Sequence, residues 1–192
     1  MKKALVLSLA LIALVTAPAF AAVSLSAKQV ESFIASMGSV DTLADEMAKE
    51  GKQEALQANM QAMTNEGFLP YTSSIKVLKD KFGGDYEKLG GIVKKHGFSS
   101  QEEWAGIGDA VMLSYMALKA EESNPNYAAA SAQMTPEMMA NLPPETRAQV
   151  EQGMKMMNAI KAAPAEHKSV VKPFIPNIEQ WINAQTKAAA PQ

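Results

Sequence analysis

Apolar residues recur every three or four positions along two consecutive stretches near the middle of the chain, which is the spacing of a helix face that packs against a core. The first stretch carries Leu89, Ile92, Val93 and His96 on one face. The second carries a broader face, formed by Trp104, Ile107, Val111, Met112, Tyr115 and Leu118. Because only a few residues separate the two stretches, the helices must run antiparallel. The pattern therefore predicts an αα-hairpin from Asp85 to Lys119.

Polar residues and a glycine mark the ends of these two helices. Asp85 is typical of a helix N-cap, and Gly97 can take the left-handed conformation that ends a helix. Phe98 can then fold back onto the apolar face of the first helix. Ser100 and Glu103 have the spacing of a capping box, which predicts that the second helix begins there.

The helical pattern continues on both sides of the hairpin. Ser26 and Gln29 form a predicted capping box for a helix that ends at Gly38. Asp41 then begins a longer predicted helix, which Gly51 interrupts. Shorter helical faces are predicted near 75–82, 145–163 and 166–171, and from residue 176 onward.

No stretch of useful length alternates between apolar and polar residues as a strand would, so the predicted fold class is all-α. Helix lengths and apolar spacings differ throughout, which argues against a repeat architecture. Residues 121–133 are polar or small and weakly patterned, which predicts a flexible connection. We expect a single domain over residues 22–192, an irregular bundle of six to eight short to medium helices around the central hairpin.

The first 21 residues have the three-part pattern of a secretory signal peptide. Lys2 and Lys3 precede an apolar run, and Ala19 and Ala21 supply small residues at the positions that precede a cleavage site. The run is shorter than the roughly 20 residues that span a bilayer. We therefore expect a leader over residues 1–21, no transmembrane segment in the mature chain, and a periplasmic or secreted location.

The composition of the chain excludes several kinds of functional site and of partner. The chain has no cysteine, which excludes disulfides, thiolate metal sites and cysteine nucleophiles. Removing Lys2 and Lys3 with the leader moves the net charge from −2 to about −4, and no basic stripe is present. Nucleic acid is not an expected partner, because its binding needs a concentrated basic face. Phosphate-loop, nucleophile-elbow, zinc-protease and calcium-loop motifs are also missing, so we expect no cofactor.

Methionine is the unusual feature of the composition, with 13 residues. The methionine-rich region, residues 134–157, holds six of them: Met134, Met138, Met139, Met154, Met156 and Met157. Thioether sulfurs three or four residues apart on a helix suit Cu(I). The candidate ligands are Met134, Met138, Met154 and Met157. The same side chains can instead fill a core, or form an adaptable apolar surface for another protein or peptide, and these interpretations stay open.

The other candidate functional residues lie in or near the hairpin turn, with the exception of Trp181. His96 lies in the last turn of its helix, where a partial positive charge interacts favourably with the helix dipole. A functional alternative pairs His96 with Glu102 or Glu103 as acid and base. Trp104 and Trp181 are predicted core anchors, and an apolar ligand would be expected if either lay beside a cavity.

Residues 90–119, GGIVKKHGFSSQEEWAGIGDAVMLSYMALK, resemble a family of uncharacterised small exported α-helical proteins of Gram-negative bacteria. In that family a Lys-Lys-His-Gly-Phe turn leads into a Glu-Glu-Trp helix. The resemblance covers about 30 of the 192 residues and implies a periplasmic location but no activity. The methionine-rich region also resembles periplasmic helical stress chaperones. Their Leu-Thr-x-x-Gln motif is absent, however, and Met134-Thr135-Pro136-Glu137 matches it poorly.

These features predict a non-enzymatic exported protein that acts by binding, with another periplasmic protein or peptide as its partner. The residues expected to contribute to binding are His96, Phe98, Trp104, Met154 and Met157. Two alternatives stay open. One is Cu(I) binding through the methionine-rich region, and the other is an enzyme of unknown class that uses His96.

Overall fold

The computed structural model describes residues 24–52, 54–56, 69–123 and 141–188, and the helices bounded within them are packed together. They are α1 (Ala27–Lys49), α2 (Pro70–Lys81), α3 (Gly83–Lys95), α4 (Gln101–Ser123), α5 (Pro144–Lys161), α6 (Ala165–Val171), a 3-10 turn (Lys172–Phe174) and α7 (Ile175–Ala188). No strand occurs in the described residues. The prediction of an all-α irregular bundle is confirmed.

Helix α4 is the centre of the bundle, since it contacts α1, α2, α3, α5 and α6. Ten of its 23 residues are buried, and they surround most of the helix rather than forming one narrow stripe. A helix that is apolar on several sides needs neighbours on several sides. The other helices are therefore arranged around α4.

The predicted αα-hairpin is confirmed as α3 and α4, which contact each other on either side of residues 96–100. Gly97 ends α3 with a φ of +88°, in the left-handed region that favours glycine. The Phe98 N–H donates to the Val93 carbonyl oxygen over 3.1 Å, and the Phe98 ring is buried. Both contacts follow the helix-ending pattern predicted for this turn.

Helix α1 is one continuous helix where two were predicted. The capping box at its start is present, because Gln29 N–H donates to Ser26 Oγ and Ser26 N–H donates to Gln29 Oε1. The predicted end at Gly38 and new start at Asp41 are wrong. The buried face runs through both positions: Val30, Phe33, Ser36, Met37, Leu43 and Met47. Burying these side chains outweighs the roughly 1 kcal/mol that a glycine costs inside a helix.

Asp85 does not cap α3, contrary to the prediction. Helix α3 begins at Gly83, which places Asp85 in its first turn. The Asp85 side chain is 6% exposed and binds Lys52 at 2.6 Å and Lys88 at 3.3 Å. The hydrogen bond from Lys52 is the main reason that the pKa of Asp85 is lowered. Because Lys52 follows α1, this ion pair ties the end of α1 to the start of α3.

Helices α5 and α6 pack on α4, and α7 contacts the 3-10 turn that follows α6. Helix α4 continues to Ser123, so residues 121–123 of the predicted flexible connection are helical, while 124–133 lie outside the described residues. A second apolar cluster joins α4 to α5 through Leu113, Ala117 and Ile160. Among the described helices, none combines the length and apolarity needed to cross a bilayer. The predicted leader lies outside the described residues.

Candidate functional site

A mostly apolar cavity of about 360 Å³ lies among α1, α2, α3, α4 and α7. Helix α1 contributes Met37, Val40, Asp41, Leu43, Ala44 and Met47. The rest of the wall consists of Leu56, Tyr71, Ser74, Ile75, Leu78, Leu89, Trp104 and Trp181. This volume falls within the roughly 300–1,000 Å³ typical of small-molecule sites. Ala44 is exposed and Asp41 is partly exposed, so the cavity reaches solvent beside them.

Three aromatic rings meet where α1, α2 and α4 approach one another. The centroid of the Tyr71 ring lies 5.3 Å from that of Phe33 and 5.4 Å from that of Trp104, and both pairs are nearly perpendicular. Gly108 gives the rings room, since a Cβ there would lie 2.6 Å from Phe33 Cε2. Trp104 Nε1 donates to Ser36 Oγ over 2.8 Å. Edge-to-face packing and the buried hydrogen bond fix this side of the wall.

Asp41 is the one charged residue among the described wall residues. Trp181 Nε1 donates to Asp41 Oδ2 over 2.9 Å, and Gln185 Nε2 donates to the same oxygen. Both donors belong to α7, whereas Asp41 lies in the middle of α1. These hydrogen bonds hold α7 against the cavity and place the Trp181 ring in its wall.

A second carboxylate, Asp109, holds the start of α2 in place. Its Oδ1 accepts from the Tyr71 N–H over 2.8 Å and its Oδ2 from the Thr72 N–H over 3.1 Å. These backbone groups have no partner within their own helix, so Asp109 acts as a cap supplied by α4. Asp109 is 1% exposed, and burial raises its pKa to about 6 despite the two hydrogen bonds. The cap fixes the position of Tyr71 beside the cavity.

The Tyr71 phenol is held in its neutral form. Burial is the largest cause of its raised pKa, and the charges of Asp109 and then Asp41 raise it further. The negative charges of Asp109, within the bundle, and of Asp41, in the cavity wall, therefore both act on Tyr71. Its phenol group stays protonated at physiological pH.

The residues predicted at the hairpin turn lie in two different environments. His96 is the half-buried residue that follows α3, and its N–H donates to the Val93 carbonyl oxygen over 3.1 Å. Phe98 is buried in the core. Trp104 is also buried and lines the cavity, whereas neither His96 nor Phe98 does.

The two glutamates considered as partners of His96 bind other groups. Glu102 Oε1 accepts from the Tyr86 hydroxyl over 2.6 Å and from Lys79 Nζ over 3.1 Å. These contacts, the Tyr86 hydrogen bond first, lower the pKa of Glu102 to about 2. Glu103 accepts from the N–H and the hydroxyl of Ser99. The described hydrogen bonds thus join the two carboxylates to residues of α2, of α3 and of the turn before α4 rather than to an imidazole.

The methionines of α5 lie at its junction with α4. Met154 and Met157 are half-buried, and Met157 packs with Met156 against the cluster that joins the two helices. Met134 and Met138 lie outside the described residues, so the four-sulfur Cu(I) set stays a prediction. Within the described part of the chain, no group of three histidines or carboxylates is placed to hold a metal ion.

Sequence reasoning identified Trp104 and Trp181 but missed Asp41, Tyr71 and Asp109. The role of Asp109 could have been inferred from the sequence, because it is an acidic residue inside the apolar run Ile107 to Val111. A charge on a buried helix face needs a partner. No sequence pattern indicates the roles of Asp41 and Tyr71, since these roles depend on contacts with distant residues.

Comparison with protein-family models, with curated proteins and with solved structures finds no match for this chain. The resemblance of residues 90–119 to exported helical proteins therefore stays a prediction. The function is therefore best indicated by the cavity and by the side chains that line it.

Proposed function

We propose that this protein is a non-enzymatic binding protein that holds a small apolar molecule in the cavity among α1, α2, α3, α4 and α7. The observation that supports this most directly is a cavity of about 360 Å³ with mostly apolar walls and both tryptophans of the chain. A ligand that covers such a wall gains about 25 cal/mol for each Å² of apolar surface removed from water.

Binding is better supported than catalysis by the chemistry of the wall. The wall residues include one carboxylate and no histidine, so they lack the acid and base pair considered for His96. General acid–base catalysis needs a titratable group placed within hydrogen-bond reach of the proton that it transfers. The one carboxylate of the wall, Asp41, already accepts hydrogen bonds from Trp181 and Gln185. The hairpin glutamates bind Tyr86, Lys79 and Ser99 instead.

A peptide that inserts a large apolar side chain into the same cavity is the second candidate ligand. The partly exposed edge formed by Asp41 and Ala44 supports this option, because the cavity can be reached from the surface there. A peptide ligand would agree with the polypeptide partner that the sequence predicts. The Cu(I) alternative uses a different region, so the two ideas can be tested separately.

Intrinsic fluorescence tests the proposal, because Trp104 and Trp181 are the two tryptophans of the chain and both line the cavity. Titration with the uncharged apolar fluorophore N-phenyl-1-naphthylamine should quench their emission as energy transfers to the bound probe. Ala44→Phe places a ring at the cavity edge, where it takes space that the probe would fill. Because the probe then loses a few favourable apolar contacts, its affinity should fall about tenfold or more.

Ala35→Phe is the matched control, since Ala35 is exposed on the same helix and is not part of the wall. This variant should bind the probe like the unmodified protein. The proposal fails if the probe does not bind, or if Ala44→Phe and Ala35→Phe bind it equally well.

We further propose that the chain is exported, on the basis of its first 21 residues. Expression in a Gram-negative host should then yield a periplasmic product that begins at Ala22, which N-terminal sequencing would detect. A cytoplasmic product that retains Met1 would contradict export without affecting the binding proposal.

A further inference from the structure

The cavity carries a negative charge that the described residues do not neutralise. The donors to the Asp41 carboxylate, Trp181 Nε1 and Gln185 Nε2, are both neutral. Both bind Oδ2, and in the part of the chain that the structure describes Asp41 forms no ion pair. A carboxylate beside apolar walls interacts more strongly with an opposite charge than it would in water.

Aromatic rings surround the same space. Tyr71, Trp104 and Trp181 are all part of the wall, and the faces of such rings attract organic cations. Asp109 adds a second negative charge close to Tyr71, whose backbone N–H it accepts at 2.8 Å. The described wall contains no lysine or arginine to offset either carboxylate.

We propose that the ligand of this cavity is an organic ammonium ion on an apolar body, with its charged group at Asp41 Oδ1 and its apolar body between the aromatic rings. This inference rests on the proposed function and adds the chemical class of the ligand. An amine can donate hydrogen bonds to the open carboxylate oxygen while its hydrocarbon part covers the apolar wall. A fatty acid of the same length is disfavoured, because its carboxylate is repelled by Asp41.

Three ligands of equal chain length isolate the contribution of charge: octylamine, 1-octanol and octanoate. Binding is measured by tryptophan emission and by calorimetry at neutral pH. Octylammonium should bind about tenfold or more tightly than octanol, and octanoate should bind more weakly than octanol. Raising the salt concentration should weaken octylammonium binding and leave octanol binding unchanged.

Asp41→Asn removes the charge and keeps an acceptor oxygen for Trp181. In this variant octylammonium should lose its advantage over octanol, with both affinities measured on the variant itself. Asp45→Asn is the matched control, because Asp45 is exposed on α1 and is not part of the wall. It should keep the preference for the amine.

The outcomes separate the two proposals. If octanol and N-phenyl-1-naphthylamine bind but octylammonium has no advantage over octanol, the ammonium inference is overturned and the proposed function stands. If none of the ligands binds, both are overturned. If Asp41→Asn fails to fold, the ranking of the three ligands and its salt dependence in the unmodified protein decide the question.

Discussion

Replacing Asp109 by Asn tests whether the buried charge of this carboxylate, which caps α2, lowers the free energy of unfolding. Asp109 is 1% exposed and its pKa is raised from the ordinary 3.8 to about 6 by burial. At about 1.4 kcal/mol for each pKa unit, this rise corresponds to about 3 kcal/mol of destabilisation when the group is charged. Asn occupies the same space without a charge, so Asp109→Asn removes this dependence on pH.

The sign of the effect follows from proton binding. Between about pH 4 and pH 6 the folded state holds a proton on Asp109 that the unfolded state has lost, so the folded state is favoured as the pH falls through this window. Above pH 6 both states are ionised and the folded state bears the full cost of the buried charge. The unmodified protein should therefore gain about 2 kcal/mol relative to Asp109→Asn as the pH falls from 7 to 4, and the rest of the roughly 3 kcal/mol below pH 4.

Urea denaturation of both proteins at several pH values measures this difference. Groups such as Glu102, whose pKa is lowered to about 2, are present in both proteins and cancel in the comparison. Carbon NMR of the Asp109 carboxyl should give a titration midpoint near pH 6. A difference in stability that stays constant from pH 4 to pH 7, together with a midpoint near pH 4, would refute the argument that burial dominates here.

Four further predictions concern the packing of the helices and the methionines. Gly108→Ala places a Cβ 2.6 Å from a Phe33 ring atom and should reduce the free energy of unfolding by about 1–3 kcal/mol. Gly91→Ala, in open space on α3, should raise it by up to about 1 kcal/mol, as urea denaturation can show. Ser36→Ala leaves the buried Trp104 indole N–H without its acceptor and should cost about 1–3 kcal/mol in the same assay. Native mass spectrometry with low micromolar Cu(I) tests the Cu(I) alternative: we expect no bound ion, and a stoichiometric complex would instead support the methionine-rich region as a metal site.

The features predicted correctly from the sequence are those decided by neighbouring residues. The capping box at Ser26 and Gln29 joins residues three positions apart, and the turn at Gly97 needs one glycine in the left-handed region. The αα-hairpin follows from two apolar faces joined by a short link. These interactions are local, so a single sequence contains the information needed to identify them.

The helix boundaries predicted incorrectly are those decided by tertiary packing. Gly38 is compatible with a helix end, but the buried residues on both sides of it keep α1 continuous. Asp85 is a good N-cap residue by type, but Lys52 and Lys88 bind its side chain in the first turn of α3. In both cases a weak local preference is overridden by contacts with other elements.

The cavity depends on pairs of residues that no local pattern connects. Asp41 accepts from Trp181, which is 140 residues away, and Asp109 accepts from the N–H of Tyr71, which is 38 residues away. A buried acidic residue in an apolar run shows that a partner must exist, because an unsatisfied charge is too costly to bury. It does not show which helix supplies that partner. The tryptophans alone could suggest an apolar ligand, because their residue type is visible in the sequence. The proposed charge of that ligand depends on Asp41, and it could be inferred only after the helices had been placed.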